Sequence, residues 1–356
     1  MTSPPALLVT CDDDLLEDVL RLSAAAGALL EVAHDPDSAL RAWTAAPVVL
    51  VGADEAARLG ARRPSRRDRV HLVARGPLDD RVFRDAVAVG ARDVLELPAA
   101  QGWLVELLAD AVEGAGASLA RTLGVVAGSG GAGASTFASA LALVAARSCP
   151  SVLVDLDPWG AGLIRLVGVE EAAGITWEAL ADGNGRLSSR SLRASLPGRD
   201  GAAVLAWGPL PGAGTTPPSS VVDEVLAAAR RGAGLVVVDL PRALDGISAE
   251  VVARCDKVVL VCEPTLSSVL AAGRVAARVT TLQADVGLVV RGQGSSVPAG
   301  QVAEALCLPL LADYPSRRKV VEQVELGLGP VHGRRSPLAR AAADVLGRLS
   351  GPGGST

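Results

Sequence analysis

A glycine-rich turn and three acids carry the chemistry this sequence can offer. In "GVVAGSGGAGASTFASALALVAARS", Gly124 to Ser148, an apolar run leads into a loop and then into a stretch of helical character. Ahead of such a helix, the successive amides of Gly130, Gly131, Gly133, Ala134, Ser135 and Thr136 can form a cationic nest for phosphate oxygens. The Ser135 hydroxyl stands where a phosphate-binding loop would ligate Mg2+. The frame G-x-x-x-x-G-K-[ST] fits from Gly128 onward, except that its lysine slot holds Ala134. The alternative G-x-G-x-x-G frame fits poorly, since the glycines fall at 128, 130, 131 and 133. A tight structural turn is the simplest competing reading.

The acids follow in order. "VLVDLDPWGAG" places Asp155 and Asp157 on one side of an extended chain at the end of an apolar strand. One could hold the metal shell while the other orients an attacking water. A third apolar run, "LVVVDLP", ends in Asp239, which suits an acid contacting Mg2+ through water. Acids at strand ends also cap helices, and that role competes at each position. Their shared order and spacing after the glycine loop favour a metal-nucleotide site.

Composition narrows the function classes. A chain of 356 residues with 49% hydrophobic and 21% charged residues is globular and long enough for two domains. A net charge of -5 argues against a general nucleic-acid surface. Only three histidines occur, His34, His71 and His332, so histidine catalysis or a histidine-rich metal centre is not expected. Five cysteines without C-x-x-C spacing fit reduced thiols. No apolar run reaches the ~18 residues of a membrane span, and the N-terminus lacks a basic signal flank, so a cytoplasmic protein is expected. Cations are almost all Arg; the two lysines are Lys257 and Lys319.

The positioning elements read as two α/β domains. Up to about residue 113, "ALLVT", "PVVLV", "VHLVA" and "DVLELP" are buried parallel strands alternating with helical stretches, a flavodoxin-like order. This part resembles a response-regulator receiver, with Asp12 and Asp13 expected in place of its acidic pair. The phosphoacceptor slot holds Gly52, the Ser/Thr slot holds Ala74, and the usual Lys before Pro98 is Leu97. A glycine supplies no carboxylate nucleophile, so the domain reads as a pseudo-receiver with a docking role, and Asp54 as a solvated loop or capping acid. "EGAGASLART" reads as a small-residue linker. Beyond it, "LGVVA", "SVLVDLD", "AVLAW", "GLVVVDLP", "KVVLVCEP", "VGLVV" and "LPLLADYP" predict a doubly wound parallel sheet. The expected divisions are 1–113 for the receiver-like domain, 114–122 for the linker, 123–335 for the phosphate-loop domain, and 336–356 for a C-terminal helix and disordered tail.

With "GSGGAGAST", "VDLDPWG", "VVVDLP", "CDKVVLVCEPTLSSVLAAGR" and "LADYPSRRKVVEQVELGLGPV" in this order, the second domain resembles the deviant-Walker MinD/ParA ATPases. The whole chain is similar to their CpaE/TadZ branch. The resemblance implies a homodimer that binds ATP or ADP with Mg2+ and positions septum or secretion/pilus machinery, with peripheral contact at a membrane, pole or septum. It also implies that Ser129 and Ala134 stand where two phosphate-facing lysines belong, and that Pro264 and Arg291 belong to the base pocket. The amide expected to read adenine is replaced by Val290. Because this chain uses Arg almost throughout, drift would have left Arg at positions 129 and 134; neither is Arg. Losing one charge-assisted phosphate contact weakens binding by about ten-fold to a hundred-fold. Weak binding with slow or absent hydrolysis is therefore expected, against the alternatives of an ATPase with a substituted cation and a nucleotide-free scaffold.

Two further stretches have competing readings. "SPLARAAADVLGRLSG" puts Leu338, Ala342, Val345, Leu346 and Leu349 on one helical face, which suits packing on the protein's own core better than the basic face of a membrane anchor. The charge run Arg58 to Arg69 reads as a solvated loop or as a docking patch for an acidic partner or anionic lipid.

Overall fold

The computed structural model describes the chain except residues 1–3, 77, 115–118, 161, 182–186, 209–216, 245, 284, 293–296, 332, 334 and 351–356. The chain divides into two compact units, Met1–Ser118 and Leu119–Thr356. Part of the expected linker and nearly all of the expected C-terminal tail lie outside the described residues.

The first unit has strands β1 (Ala6–Val9), β2 (Leu30–Ala33), β3 (Val49–Gly52), β4 (Val70–Arg75) and β5 (Asp93–Leu97). They pair in parallel in the order β2-β1-β3-β4-β5. Helices α1 (Asp13–Ala25), α2 (Pro36–Ala42), α3 (Ala53–Ala61), α4 (Asp80–Val89) and α5 (Gln101–Gly114) complete the alternation. Alternate strand residues feed two cores: Leu7, Val9, Val49 and Val51 face one, while Ala6, Leu8, Val48 and Leu50 face the other. Strands buried on both faces are the reason these runs are continuously apolar.

Local signals fix the helix ends. Asp79 caps α4 by accepting from the amides of Arg81 and Val82, and Gly90 closes it at φ 74°. Asp12 likewise caps α1, accepting from Asp14 N and Leu15 N. Asp12 and Asp13 thus follow β1 as expected of the acidic pair, with Asp12 also capping α1 and Asp13 opening it.

The charge run is largely exposed, as a solvated loop is, but several of its arginines have partners. Its start belongs to α3, where Arg58 pairs with Glu55 at 2.6 Å. Arg62 pairs with Asp37 at 2.8 Å, and Arg67 donates to the carbonyls of Trp43 and Ala46.

The second unit is built on β6 (Arg121–Ala127), β7 (Ser151–Asp155), β8 (Gly198–Arg199), β9 (Ala202–Leu205), β10 (Leu235–Leu240), β11 (Lys257–Cys262), β12 (Val286–Arg291) and β13 (Leu310–Tyr314). Their order is β13-β12-β11-β6-β10-β7-β9-β8, parallel throughout except for the β8–β9 hairpin. Helices α6 (Ala134–Ala145), α7 (Leu163–Val167), α8 (Trp177–Ala181), α9 (Ser189–Ser195), α10 (Ser219–Gly232), α11 (Gly246–Arg254) and α12 (Leu266–Leu282) follow in turn. The last three are α13 (Ala299–Leu306), α14 (Arg318–Glu325) and α15 (Pro337–Ser350).

One core lies on each side of this sheet. Val126, Val154, Val236 and Leu260 face one; Val125, Leu153, Val237 and Val259 face the other, where α6 is buried almost all round. Helix α15 lies on that second side with Leu338, Ala342, Val345 and Leu349 buried and Leu346 partly so. The apolar face of the C-terminal helix is therefore spent on the protein's own core. Among the described residues, no helix is long and apolar enough to cross a membrane.

Candidate functional site

Strand β6 lies near the middle of the sheet, and the chain leaves it toward β7 on one side while β11 to β13 build the other. Ligands of open α/β sheets bind at the carboxyl edge beside such a reversal. The glycine loop sits there, between Ala127 and α6. Gly131 and Gly133 hold φ of 77° and 90°, the left-handed region that favours glycine. A β-carbon on Gly133 would also stand 2.7 Å from Arg291 Nη1. Helix α6 then opens without a side-chain cap, so its first amides point at the loop with no intrahelical acceptor.

Two acids stand below the loop. Asp155, the last residue of β7, and Asp239, the last but one of β10, stand in register on neighbouring strands and are 2% and 3% exposed. Burial, reinforced by the charge of Asp239, raises Asp155 to about 8; its own bonds from the amides of Asp157 (3.0 Å) and Leu163 (3.4 Å) oppose this. Burial likewise raises Asp239 to about 7, opposed by the hydrogen bond from the Ser135 hydroxyl. Asp239, a buried carboxylate on the cavity wall, is a donor that a divalent cation fits, while both oxygens of Asp155 already accept backbone amides. Ser135 and Asp239 both line the cavity and could hold such a cation.

A cavity of about 760 Å³ opens over these groups. Gly130, Gly131, Gly133, Ala134, Ser135, Thr136, Asp157, Asp239 and Arg291 all line it, so most of the residues singled out in the sequence come together. Two do not reach its lining. Asp155 lies behind, spent on the turn that carries Asp157, and Pro264 is buried beside Gly292, where a β-carbon would stand 2.6 Å from Pro264 Cδ. Arg291 is half-engaged already, donating to the carbonyl of Gly131 at 2.8 Å and to Ser316 Oγ at 3.1 Å. Ser129 turns inward, donating to Ser268 Oγ at 3.1 Å, and is buried.

Sequence reasoning missed the other cations of the cavity. Arg165 comes from α7, Arg242 from the turn after β10, and Arg317 from just before α14. Trp159, in the turn after Asp157, lines the mouth and is 87% exposed. The scarcity of lysine was the signal that could have directed the search to arginine.

In the first unit, the acceptor slot at Gly52 is filled from the next helical turn. A β-carbon on Gly52 would stand 2.2 Å from Asp54 Oδ1. Asp54 itself accepts from Thr10 Oγ1 at 2.9 Å and from Cys11 N at 2.6 Å. It is thus a tie between α3 and the end of β1 and not a free loop acid.

Comparison with known proteins agrees with this architecture. Residues 9–119 match the Rv3660c-like, CheY-like N-terminal domain. The ParA family ATPase from Chlorobium tepidum TLS superposes with a TM-score of 0.57 at 16% identity, covering 65% of this chain and 99% of that one. The septum site-determining protein MinD from Pyrococcus horikoshii OT3, complexed with Mg-ADP, gives 0.54 at 20% identity, covering 65% and 96%. These likenesses establish the MinD/ParA-like fold. The uncharacterized protein Rv3660c of Mycobacterium tuberculosis (strain ATCC 25618 / H37Rv) is 37% identical over 342 residues, 95% of this chain and 96% of that protein. With a CheY-like unit, a MinD/ParA-like unit and this full-length identity, the chain belongs to the Rv3660c-like family.

Proposed function

We propose that this protein is a MinD/CpaE-like spatial regulator that binds ATP or ADP with Mg2+ weakly and hydrolyses it little or not at all. Ser135 and Asp239 together on the wall of one cavity, beneath a loop with two left-handed glycines but no lysine, are the observation that carries the reading. The loop amides from Gly130 to Thr136 hold phosphate, Ser135 and Asp239 hold Mg2+, Asp157 orients water, and Asp155 fixes the turn on which Asp157 rides. Arg291 and Pro264 border the base side. A bound metal nucleotide supplies the transferable phosphoryl group and the charge that orders the switch turn.

In this reading the chain acts as a homodimer on septum or secretion/pilus machinery, in the manner of the septum site-determining protein Ssd that it resembles. It works in the cytoplasm, with any membrane contact peripheral. The boundaries 1–113, 114–122, 123–335 and 336–356 separate a docking pseudo-receiver from the nucleotide-binding part. The arginines of the cavity favour a second reading, an ATPase with a substituted cation. A calorimetric titration of the full chain with Mg-ATP and Mg-ADP, paired with phosphate release, tests both. Binding without turnover supports the first reading, turnover the second, and no binding at millimolar nucleotide removes both in favour of a scaffold.

A further inference from the structure

We propose that Arg242 supplies the phosphate-facing cation that the loop lacks at Ala134, its ligand being the di- or triphosphate moiety of a nucleotide. This rests on the nucleotide-binding reading above. Arg242 lines the same cavity as the loop, Asp157 and Asp239. Its Nη1 comes within 3.9 Å of where a β-carbon on Gly130 would stand. Because position 130 carries no side chain, nothing on that residue separates the guanidinium from the loop amides.

The position is set by the sheet. Arg242 follows Asp239 by three residues, after Leu240 ends β10 and Pro241 turns the chain. β10 is held between β6, which leads into the loop, and β7, which leads into the Asp157 turn. The chain just past its end therefore lies beside both, and Arg242 lines their shared cavity. Arg291, by contrast, is already committed to Gly131 and Ser316, with Glu263 at 3.7 Å. Arg242 is exposed and makes no ion pair among the described residues. A guanidinium suits phosphate well, because it stays charged and can grip the oxygens through two parallel N–H donors.

The test titrates Mg-ATP and Mg-ADP into the full chain by calorimetry, for wild type, Arg242→Ala, Arg242→Lys and Arg242→Ala with Ala134→Lys. Arg242→Ala is expected to weaken binding by about ten-fold to a hundred-fold, the range of a lost charge-assisted contact. Arg242→Lys should retain most of the affinity, and Ala134→Lys should restore much of what Arg242→Ala loses, since either cation meets the same phosphate charge. An exposed side chain leaves the melting temperature unchanged, which a thermal melt checks. Wild-type binding that Arg242→Ala leaves intact overturns the role of Arg242 while the nucleotide reading stands. Wild type that binds neither nucleotide at millimolar concentration overturns both.

Discussion

Asp155 and Asp239 sit side by side at the carboxyl ends of β7 and β10, both buried and both raised far above the usual carboxylate range. A carboxyl whose folded pKa is raised is neutral in both states at low pH, and its fold weakens as pH climbs toward the folded value. Without metal, the melting temperature of the protein should therefore fall as pH rises from about 4 through the values of about 7 and about 8. Asp239→Asn should flatten that slope and raise the metal-free melting temperature by a few degrees, about 2 to 4 °C per kcal/mol gained. Thermal melts across pH with EDTA, repeated with millimolar Mg2+, measure this. A metal-free stability that rises steadily with pH would contradict the assignment.

The two lost lysine positions should respond differently to repair. Ala134 lines the cavity, so Ala134→Lys should raise Mg-ATP affinity with the fold intact, and by about ten-fold or more where Arg242 is replaced by Ala. Ser129 lines the cavity too, but its hydroxyl is held by Ser268 Oγ at 3.1 Å, so Ser129→Lys must break that bond. It should cost about 1 to 3 kcal/mol of stability before any effect on nucleotide appears. Denaturant melts and calorimetry on both variants separate the cases, and equal stabilities for the two would refute the difference.

The order of apolar strands and the strand–loop–helix layout of the glycine-rich turn were legible because buried parallel strands and glycine-rich turns leave contiguous signatures. What was not legible depended on geometry. β2 is a half-buried edge strand with Glu31 in it, so its four residues carry no strong period. Three consecutive acids, Asp12 to Asp14, do not show by themselves which one caps α1; the bonds that Asp12 accepts from Asp14 N and Leu15 N do. The exposure of Asp157 and the seclusion of Asp155 follow from the turn between Asp155 and Leu163, which a strand-end pattern does not encode. Arg165, Arg242 and Arg317 come from separate segments and meet only once the sheet is assembled.

The pseudo-receiver should take no phosphate. Its acceptor position is Gly52, Asp12 is occupied in capping α1, and Asp54 is tied to Thr10 and Cys11. After treatment with acetyl phosphate and Mg2+, intact-mass and peptide spectra should show no phosphoaspartate within residues 1–113. Restoring the acceptor as Gly52→Asp should destabilise the domain, since the new β-carbon must displace the Asp54 carboxylate. A stable, phosphorylated Gly52→Asp variant would show that the slot is open after all.

The C-terminal helix offers the sharpest contrast between a structural and a membrane role. Leu338, Val345 and Leu349 are 2%, 1% and 7% exposed, packed in the core that also holds Phe137, Leu141 and Tyr314. Arg121 reaches the carbonyl of Leu349 and so ties the last turn to the first strand of the domain. Truncation of Val345 to Ala should cost about 1 to 3 kcal/mol, and Val345→Asp more, because an unpaired charge would be buried. A surface anchor would behave otherwise: Val345→Asp would leave the fold intact and abolish attachment to vesicles. We expect wild type to show no measurable flotation with liposomes of one-third anionic lipid and Val345→Asp to unfold well below it in a thermal melt. Flotation lost on mutation without any change in melting would reassign the helix to the membrane.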